Sequence, residues 1–385
     1  MFSRSASRVL RIRPQVGRAL GASSARAFSA AIATRHALPA SGAATIIQKM
    51  GAPVEFHKDH PNPKSLAPGE CLVEISHSGV CHTDLHAQKG DWPVPPKYPL
   101  VGGHEGIGKI IAIGENTSNS PVKIGDRVGI KWIASSCLNC EMCRRGLEMN
   151  CENAKLSGYT VDGTFAKYVV SYTNTVTPIP EGIASDAAAP ILCAGVTVYK
   201  GLKQSGTKAG DWVAIPGAGG GLGHLAVQYA KAMGLRVIAI DTGADKEKLV
   251  KSYGADVWLD FKSTPNLVEA IQKAADGKGP HASLVVSASS GGYQQAIDYL
   301  RQGGTLVCVG LPNTDIGANC FWTVFKQIRI QASYVGTRQD AIEALQFAAD
   351  GKVACKFETK PLAKLQEVYD DMEAGKIAGR IVLEV

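Results

Sequence analysis

From Trp212 to Ala332 the chain keeps a rhythm that few folds accommodate. Six short strand-like runs, Trp212–Ile215, Arg236–Ile240, Asp256–Leu259, Ser283–Ser287, Thr305–Val309 and Ile328–Ala332, alternate with stretches of helical periodicity. Leu222, Leu225, Ala226, Tyr229, Ala230 and Met233 recur three and four residues apart, as a helix with one buried face requires. Lys246–Tyr253 stops at Gly254, a natural helix end, and Asn266–Ala275 and Gly292–Gln302 follow. Six strands alternating with helices predict an α/β unit built on a doubly wound parallel sheet.

The first strand runs into Gly217-Ala218-Gly219-Gly220-Gly221-Leu222-Gly223, which opens the first helix. Glycines let the backbone turn sharply and approach a pyrophosphate, which then rests on the helix N-terminus. The spacing carries one residue more than the plain G-x-G-x-x-G pattern, and taken alone the run is also compatible with a structural turn. Asp241 supplies the context. It ends the second strand 18 residues beyond Gly223, where a carboxylate binds the adenosine ribose 2′-hydroxyl. An acid there repels a 2′-phosphate, so NAD is expected over NADP. Pro216, just ahead of the turn, has no functional reading.

Residues 44–200 have another character, rich in Gly, Pro, Val and Ile, with short runs at Cys71–Ile75, Ile107–Ile113 and Arg127–Trp132. They predict an irregular, mostly β domain. Within it Cys137, Cys140, Cys143 and Cys151 form C-x2-C-x2-C-x7-C. Short C-x-x-C turns let two thiolates grip one ion, and four sulfurs close a tetrahedral zinc shell. An iron–sulfur cluster also takes four thiolates, but its usual spacings differ. A nucleic-acid-binding zinc ribbon is the other rival; the loop's slight net basic charge and lack of interleaved aromatic residues speak against it.

A second constellation is dispersed over Gly79-Val80-Cys81-His82-Thr83-Asp84-Leu85-His86, Gly102-Gly103-His104-Glu105-Gly106 and Leu192-Cys193-Ala194-Gly195. Singly, each Cys or His there is more often a buried structural residue than a ligand. Cys71, Cys308, Cys320 and Cys355 are expected as buried free thiols.

Together these segments resemble the zinc-dependent alcohol dehydrogenases of the medium-chain dehydrogenase/reductase superfamily, in particular their microbial tetrameric type in a mitochondrial form. The resemblance runs from about Pro53 to Val385. Its most specific stretches are GVCHTDLHAQKGDWP, GGHEG, GIKWIASSCLNCEMC, LSGYTVDGTFA, LCAGVTVYK, the glycine turn and the ending AGRIVLEV.

The resemblance implies a GroES-like catalytic domain at 29–193 with a structural zinc lobe at 137–151. An NAD-binding Rossmann domain at 194–332 and a return to the catalytic domain at 333–385 complete the organisation. It implies two zinc ions per subunit, the catalytic one on Cys81, His104 and Cys193 with a fourth position open, the structural one on the four-cysteine lobe. Asp84 would orient His104 from behind, and Glu105 would lie near the metal. Thr83 and His86 match a proton relay that passes through the cofactor ribose. His82 and Arg380 match positions that hold the pyrophosphate, and Lys246 one near the adenosine ribose. Trp92 and Trp132 match bulky residues that narrow the substrate pocket, with Leu311 near its outer end. Indoles in those places favour ethanol and other short primary alcohols. Larger allylic, aromatic or polyol substrates are the alternative within the same chemistry, and a homotetramer is the implied assembly.

Charge settles where the chain is unusual. Seven of its 41 basic residues are arginines at positions 4, 8, 11, 13, 18, 26 and 35, and the first acid is Glu55. Without them 34 basic and 34 acidic residues balance, so the body of the protein has no global electrostatic case for nucleic acid or a membrane surface. An acid-free N-terminus rich in Arg, Ser and Ala reads as a mitochondrial presequence, residues 1–28, cleaved after Phe28 for delivery to the matrix. A zinc-free quinone reductase would share the fold but lack both ligand sets. A non-catalytic nucleotide- or RNA-binding protein would keep only structural zinc.

Overall fold

The computed structural model describes residues 37–312, 315–377 and 379–385; the expected leader at 1–28 lies outside them. The alternating half folds into a six-stranded parallel sheet of Trp212–Pro216 (β1), Arg236–Asp241 (β2), Val257–Asp260 (β3), Ala282–Val285 (β4), Thr305–Cys308 (β5) and Arg329–Ala332 (β6). The spatial order is β3-β2-β1-β4-β5-β6, so the order reverses beside β1. That reversal leaves a crevice at the strands' carboxyl ends, where such sheets bind ligands.

The central strands β1, β2, β4 and β5 are largely apolar and buried because helices cover both faces, whereas the edge strand β6 is mostly exposed. Val213, Ile215, Val237 and Ala239 enter one core with Leu225, Ala226 and Tyr229 of the helix Gly223–Ala232. Their neighbours Trp212, Ala214, Ile238 and Ile240 enter the opposite core with Ile271, Tyr293 and Ile297. Leu225 is fully buried, and cutting such a side chain to Ala typically costs about 2–5 kcal/mol. The helix Ala244–Ser252 ends two residues before Gly254, which takes the left-handed φ of 88° that a side chain resists.

The other half is β-rich. Glu70–Val80 is its central strand, paired antiparallel with Gly106–Ile113, Tyr168–Tyr172 and Arg380–Glu384. Phe357–Pro361 lies parallel to Arg380–Glu384 at one end of this sheet, and Arg127–Ile130 and Thr177–Pro178 extend the other. The segment beyond β6 does not cross straight back. Its helix Arg338–Ala349 first packs on Ala194–Gln204, with the Tyr229 hydroxyl donating to the Ala344 carbonyl (2.9 Å). The chain enters the second sheet only at Phe357.

Two expectations need correction. Of the four cysteines expected to be buried, Cys71 is; Cys308 and Cys355 are partly so, and Cys320 is exposed. Cys320 opens a short helix, Cys320–Phe325, that buries none of its residues and turns Phe321, Val324 and Phe325 outward. The run Arg127–Trp132 leaves the sheet after Ile130, which frees Trp132 for the cleft described next. Among the described residues no helix is long and apolar enough to cross a membrane.

Candidate active site

Cys81 follows the central strand and caps the helix His82–Lys89 in an extended conformation. One turn in, Asp84 is buried and its carboxylate organises three segments. Oδ2 accepts the Cys81 amide (2.8 Å), and Oδ1 accepts the Gly103 amide (3.2 Å) and His104 Nδ1 (2.9 Å). A carboxylate only accepts, so His104 carries its proton on Nδ1 and keeps the Nε2 lone pair free. That nitrogen lies 3.3 Å from Cys193 Sγ, which is 4.0 Å from Cys81 Sγ. Ligands about 2.3 Å from a tetrahedral ion lie roughly 3.8 Å apart, so these three donors fit a zinc ion.

Glu105 adds a fourth candidate donor, since the ligand atoms of Cys81, His104, Glu105 and Cys193 all lie within 4.8 Å of one another. Burial raises its carboxyl to about pH 7 against the pull of Arg380, with which Glu105 Oε1 is paired. Among the described residues its other oxygen has no hydrogen-bond partner. Space for this carboxylate explains one glycine, because a Cβ on Gly79 would stand 2.0 Å from Oε2.

The second cluster is compact in sequence. Cys137, Cys140, Cys143 and Cys151 converge on one point, with Cys137 and Cys143 sulfurs 4.0 Å apart. Backbone amides serve the sulfurs: Cys140 N–H donates to Cys137 (3.2 Å) and Cys137 N–H to Cys151 (3.4 Å). Backbone donation from Asn139 and then from Cys140 draws the Cys137 thiol down to about 6. Four thiolate donors fit a closed zinc shell.

A cleft of about 1210 Å3 runs from the Cys81–His104–Cys193 cluster to the glycine turn. Thr83 and His86 line it beside Trp92 and Trp132. His86 Nδ1 meets Asp91 (2.8 Å) and its ring stacks on Trp92 at 5.0 Å. Trp132 is buried edge-on to His104 at 5.1 Å, while Leu311 stands exposed at the rim. His82 is an exposed part of the wall.

At the other end Gly217, Gly219, Gly220, Gly221, Leu222 and Gly223 form the floor. Gly217 has φ 87°, and a Cβ on Gly223 would lie 2.0 Å from its carbonyl, so neither place tolerates a side chain. Arg380 lies between the floor and the first cluster, 3.1 Å from where a Gly221 Cβ would be, with its buried Nε unpartnered among the described residues. A bare glycine cradle with a buried cation beside it suits a diphosphate. Asp241 is buried at the end of β2. It accepts from the Gly219 and Thr242 amides (2.9 Å each) and from Lys246 Nζ (2.8 Å). Three of about four lone-pair positions are then used, leaving capacity for one ribose hydroxyl. Lys246 and Thr242, rather than Asp241, face the cleft.

Sequence reasoning missed part of this wall. The Tyr334 hydroxyl accepts the Trp132 indole N–H, and Tyr159 packs on Trp132 and Trp92 at 5.4 and 5.9 Å. Lys200, buried on the helix Ala194–Gln204, also lines the cleft. Tyr159 and Lys200 stand inside the motifs LSGYTVDGTFA and LCAGVTVYK. Nothing local marks Tyr334.

A doubly wound sheet and a β-rich unit that share one cleft, with an open metal-ligand set at one end and a glycine cradle at the other, define a metal-dependent dehydrogenase. Known proteins make the class specific. Residues 67–181 match the alcohol dehydrogenase GroES-like domain and residues 221–350 the zinc-binding dehydrogenase domain. The chain is 48% identical over 349 residues to an alcohol dehydrogenase of Schizosaccharomyces pombe, covering 90% of this chain and 99% of that one. It is 50% identical to alcohol dehydrogenase 1 of Neurospora crassa, covering 90% and 98%. The alcohol dehydrogenase of the archaeon Aeropyrum pernix has the same fold, with a TM-score of 0.80 at 30% identity over 89% of this chain and 100% of that one. An NAD-dependent alcohol dehydrogenase gives 0.81 at 26%, over 89% and 99%. The chain belongs to the zinc-dependent alcohol dehydrogenase family.

Proposed function

We propose that this enzyme interconverts short primary alcohols, ethanol foremost, and their aldehydes with NAD, as a homotetramer in the mitochondrial matrix. The observation that carries the substrate reading is the pair of indoles, Trp92 and Trp132, 6.4 Å apart at the metal-ligand end of the cleft. Large side chains set against the ligand cluster leave little room beyond the first carbons of a substrate.

When bound, zinc supplies a Lewis acid that favours loss of the alcohol proton, and NAD accepts hydride. The protein's own groups do the rest. Asp84 fixes the His104 tautomer, and Arg380 draws Glu105 to one side of the cluster while facing the glycine cradle. Thr83 Oγ1 lies 3.7 Å from Cys81 Sγ, where it can receive the departing proton. His86 is held at Nδ1 by Asp91, so it takes a proton at Nε2. Asp241 favours a free ribose hydroxyl over a 2′-phosphate, which makes NAD the cofactor.

Support for self-assembly comes from β6, an edge strand, and the short helix before it. Ile330 on that strand and Phe321, Trp322, Val324 and Phe325 on the helix are exposed together. Apolar surface beside an open edge is a place for a second copy to pair. The acid-free, arginine-rich first residues support import, and the N-terminal sequence of protein taken from the matrix tests it.

The test of function is NADH formation across ethanol, butanol, cinnamyl alcohol and sorbitol, with NADP as control. Fastest turnover of ethanol with NAD supports the reading. Preference for cinnamyl alcohol or sorbitol keeps the chemistry and overturns the narrow pocket.

A further inference from the structure

The four-cysteine lobe reaches the substrate cleft through the turn that closes it. Leu147 and Asn150 of that turn line the cleft, and Cys151 follows at once. The two residues between them hold a distant segment. Glu148 is buried, and its carboxylate accepts the Arg338 backbone N–H (2.7 Å) and Arg338 Nε (3.0 Å). Met149, also buried, places its sulfur 3.6 Å from Lys200 Nζ. The same ammonium donates to the Tyr334 carbonyl (3.1 Å). Tyr334 in turn takes the Trp132 indole N–H, and Trp132 lies against the ligand His104.

The stretch from Ser333 to Arg338 is therefore fastened to the lobe at both ends. Lys200 holds Tyr334 for Met149, and Glu148 holds Arg338 directly. A loop between a strand and a helix has no ladder of its own to fix it. The Ser333 amide bonds the Cys308 carbonyl (2.9 Å) and Thr337 caps the next helix through Asp340; between those points the side-chain contacts above position the loop, and with it the Tyr334 hydroxyl on the cleft wall.

We propose that Glu148 is a specificity-positioning residue: by anchoring Arg338 it keeps Tyr334 against Trp132, so that the four-cysteine lobe sets the width of the alcohol cleft. Glu148 touches neither substrate nor the catalytic ligands. The inference rests on the reading of the Trp92–Trp132 cleft as the place of a small alcohol. It gives the lobe a part in selectivity in addition to stability.

The test uses the full-length protein with its zinc content measured, as Glu148→Gln, Arg338→Ala and the double variant. In Glu148→Gln, KM for ethanol rises about fivefold while kcat changes less than about twofold, the pattern of lost positioning without lost chemistry. The ethanol-to-butanol ratio of kcat/KM falls at least about threefold. The double variant is no worse than either single one, as expected when both residues act through one contact. Zinc stays at the native count, and the near-UV circular dichroism shifts in the same sense as in Tyr334→Phe. Arg338→Lys, which keeps a charge for Glu148, recovers part of the ratio. A lower melting temperature with unchanged ratio and spectrum makes Glu148 a purely structural residue and overturns the proposal. A ratio that moves only in proportion to lost zinc does the same. Should the native enzyme prefer butanol, the short-alcohol reading fails, yet the native-to-variant shift in ratio still decides the role of Glu148.

Discussion

The two metal-ligand clusters are built on opposite plans. The four-cysteine lobe draws its donors from fifteen residues, Cys137 to Cys151, and holds its sulfurs with backbone amides. The cleft cluster draws Cys81 and Cys193 from positions 112 apart, the first buried and the second partly so, and orients its histidine with a carboxylate. A set gathered by one short loop closes its own shell and needs nothing from the rest of the fold. A set gathered from three segments exists only when the whole fold is assembled, and it can leave a side open to the cleft. The first plan suits a structural ion and the second a reactive one.

The comparison breaks most visibly if the clusters can exchange roles. His104→Ala or Cys193→Ser should lower kcat/KM by a thousandfold or more, about 4 kcal/mol of lost barrier reduction. Zinc should fall from two to one per chain, with the circular dichroism of the fold retained. Cys143→Ser should do the converse. It should lower stability by roughly 2–4 kcal/mol, seen as a melting temperature about 5–10 °C lower, while kcat per folded molecule stays within a few-fold. Thermal melts and metal analysis on both variants check this. If Cys143→Ser abolished turnover in folded protein, the division of labour would be wrong.

The same contrast explains what the sequence could reveal. The lobe is legible because its chemistry is local: the spacing of four cysteines is the site. The parallel sheet is legible for a similar reason, since each strand and helix announces its period within ten residues or so. Cys81, His104 and Cys193 could not be told from buried structural residues by spacing. Only their resemblance to a family, segment by segment, brought them together. Contacts with no local signature stayed hidden: Glu148 with Arg338, 190 residues on, and Glu105 with Arg380, 275 residues on. Burial decides such pairs, and burial is a property of the assembled chain. The same holds for Cys320, expected as a buried free thiol, which the short helix leaves exposed.

A smaller effect sharpens the contrast in how donors are held. Asp84→Asn keeps the size of the side chain but offers an amide that can donate, so His104 is no longer forced to carry its proton on Nδ1. Loss of such a partner typically costs 10–100-fold in metal affinity or activity, and we expect about that in kcat/KM. The lobe has no equivalent carboxylate behind its ligands among the hydrogen bonds of the described residues, so its zinc should be unaffected. Competition with a chelator, following release of each ion, separates the two.

The last test concerns the one thing the open cluster must do that the closed one never does, which is to release a proton. His86 meets Asp91 at Nδ1 and faces the cleft from beside Trp92, so its Nε2 is the group placed to carry a proton outward. Glutamine can keep a hydrogen bond to Asp91 but cannot take up a proton near neutral pH. His86→Gln should therefore slow alcohol oxidation about tenfold near pH 7, less than the roughly hundredfold or more of a group that takes the proton in the chemical step itself, because His86 only relays it. The loss should shrink as pH rises and base in solution takes over, and added imidazole should restore part of it. Aldehyde reduction at low pH, where protons are abundant, should suffer less. A uniform loss at every pH, with no response to imidazole, would make His86 a packing partner of Trp92 and leave the proton to Thr83.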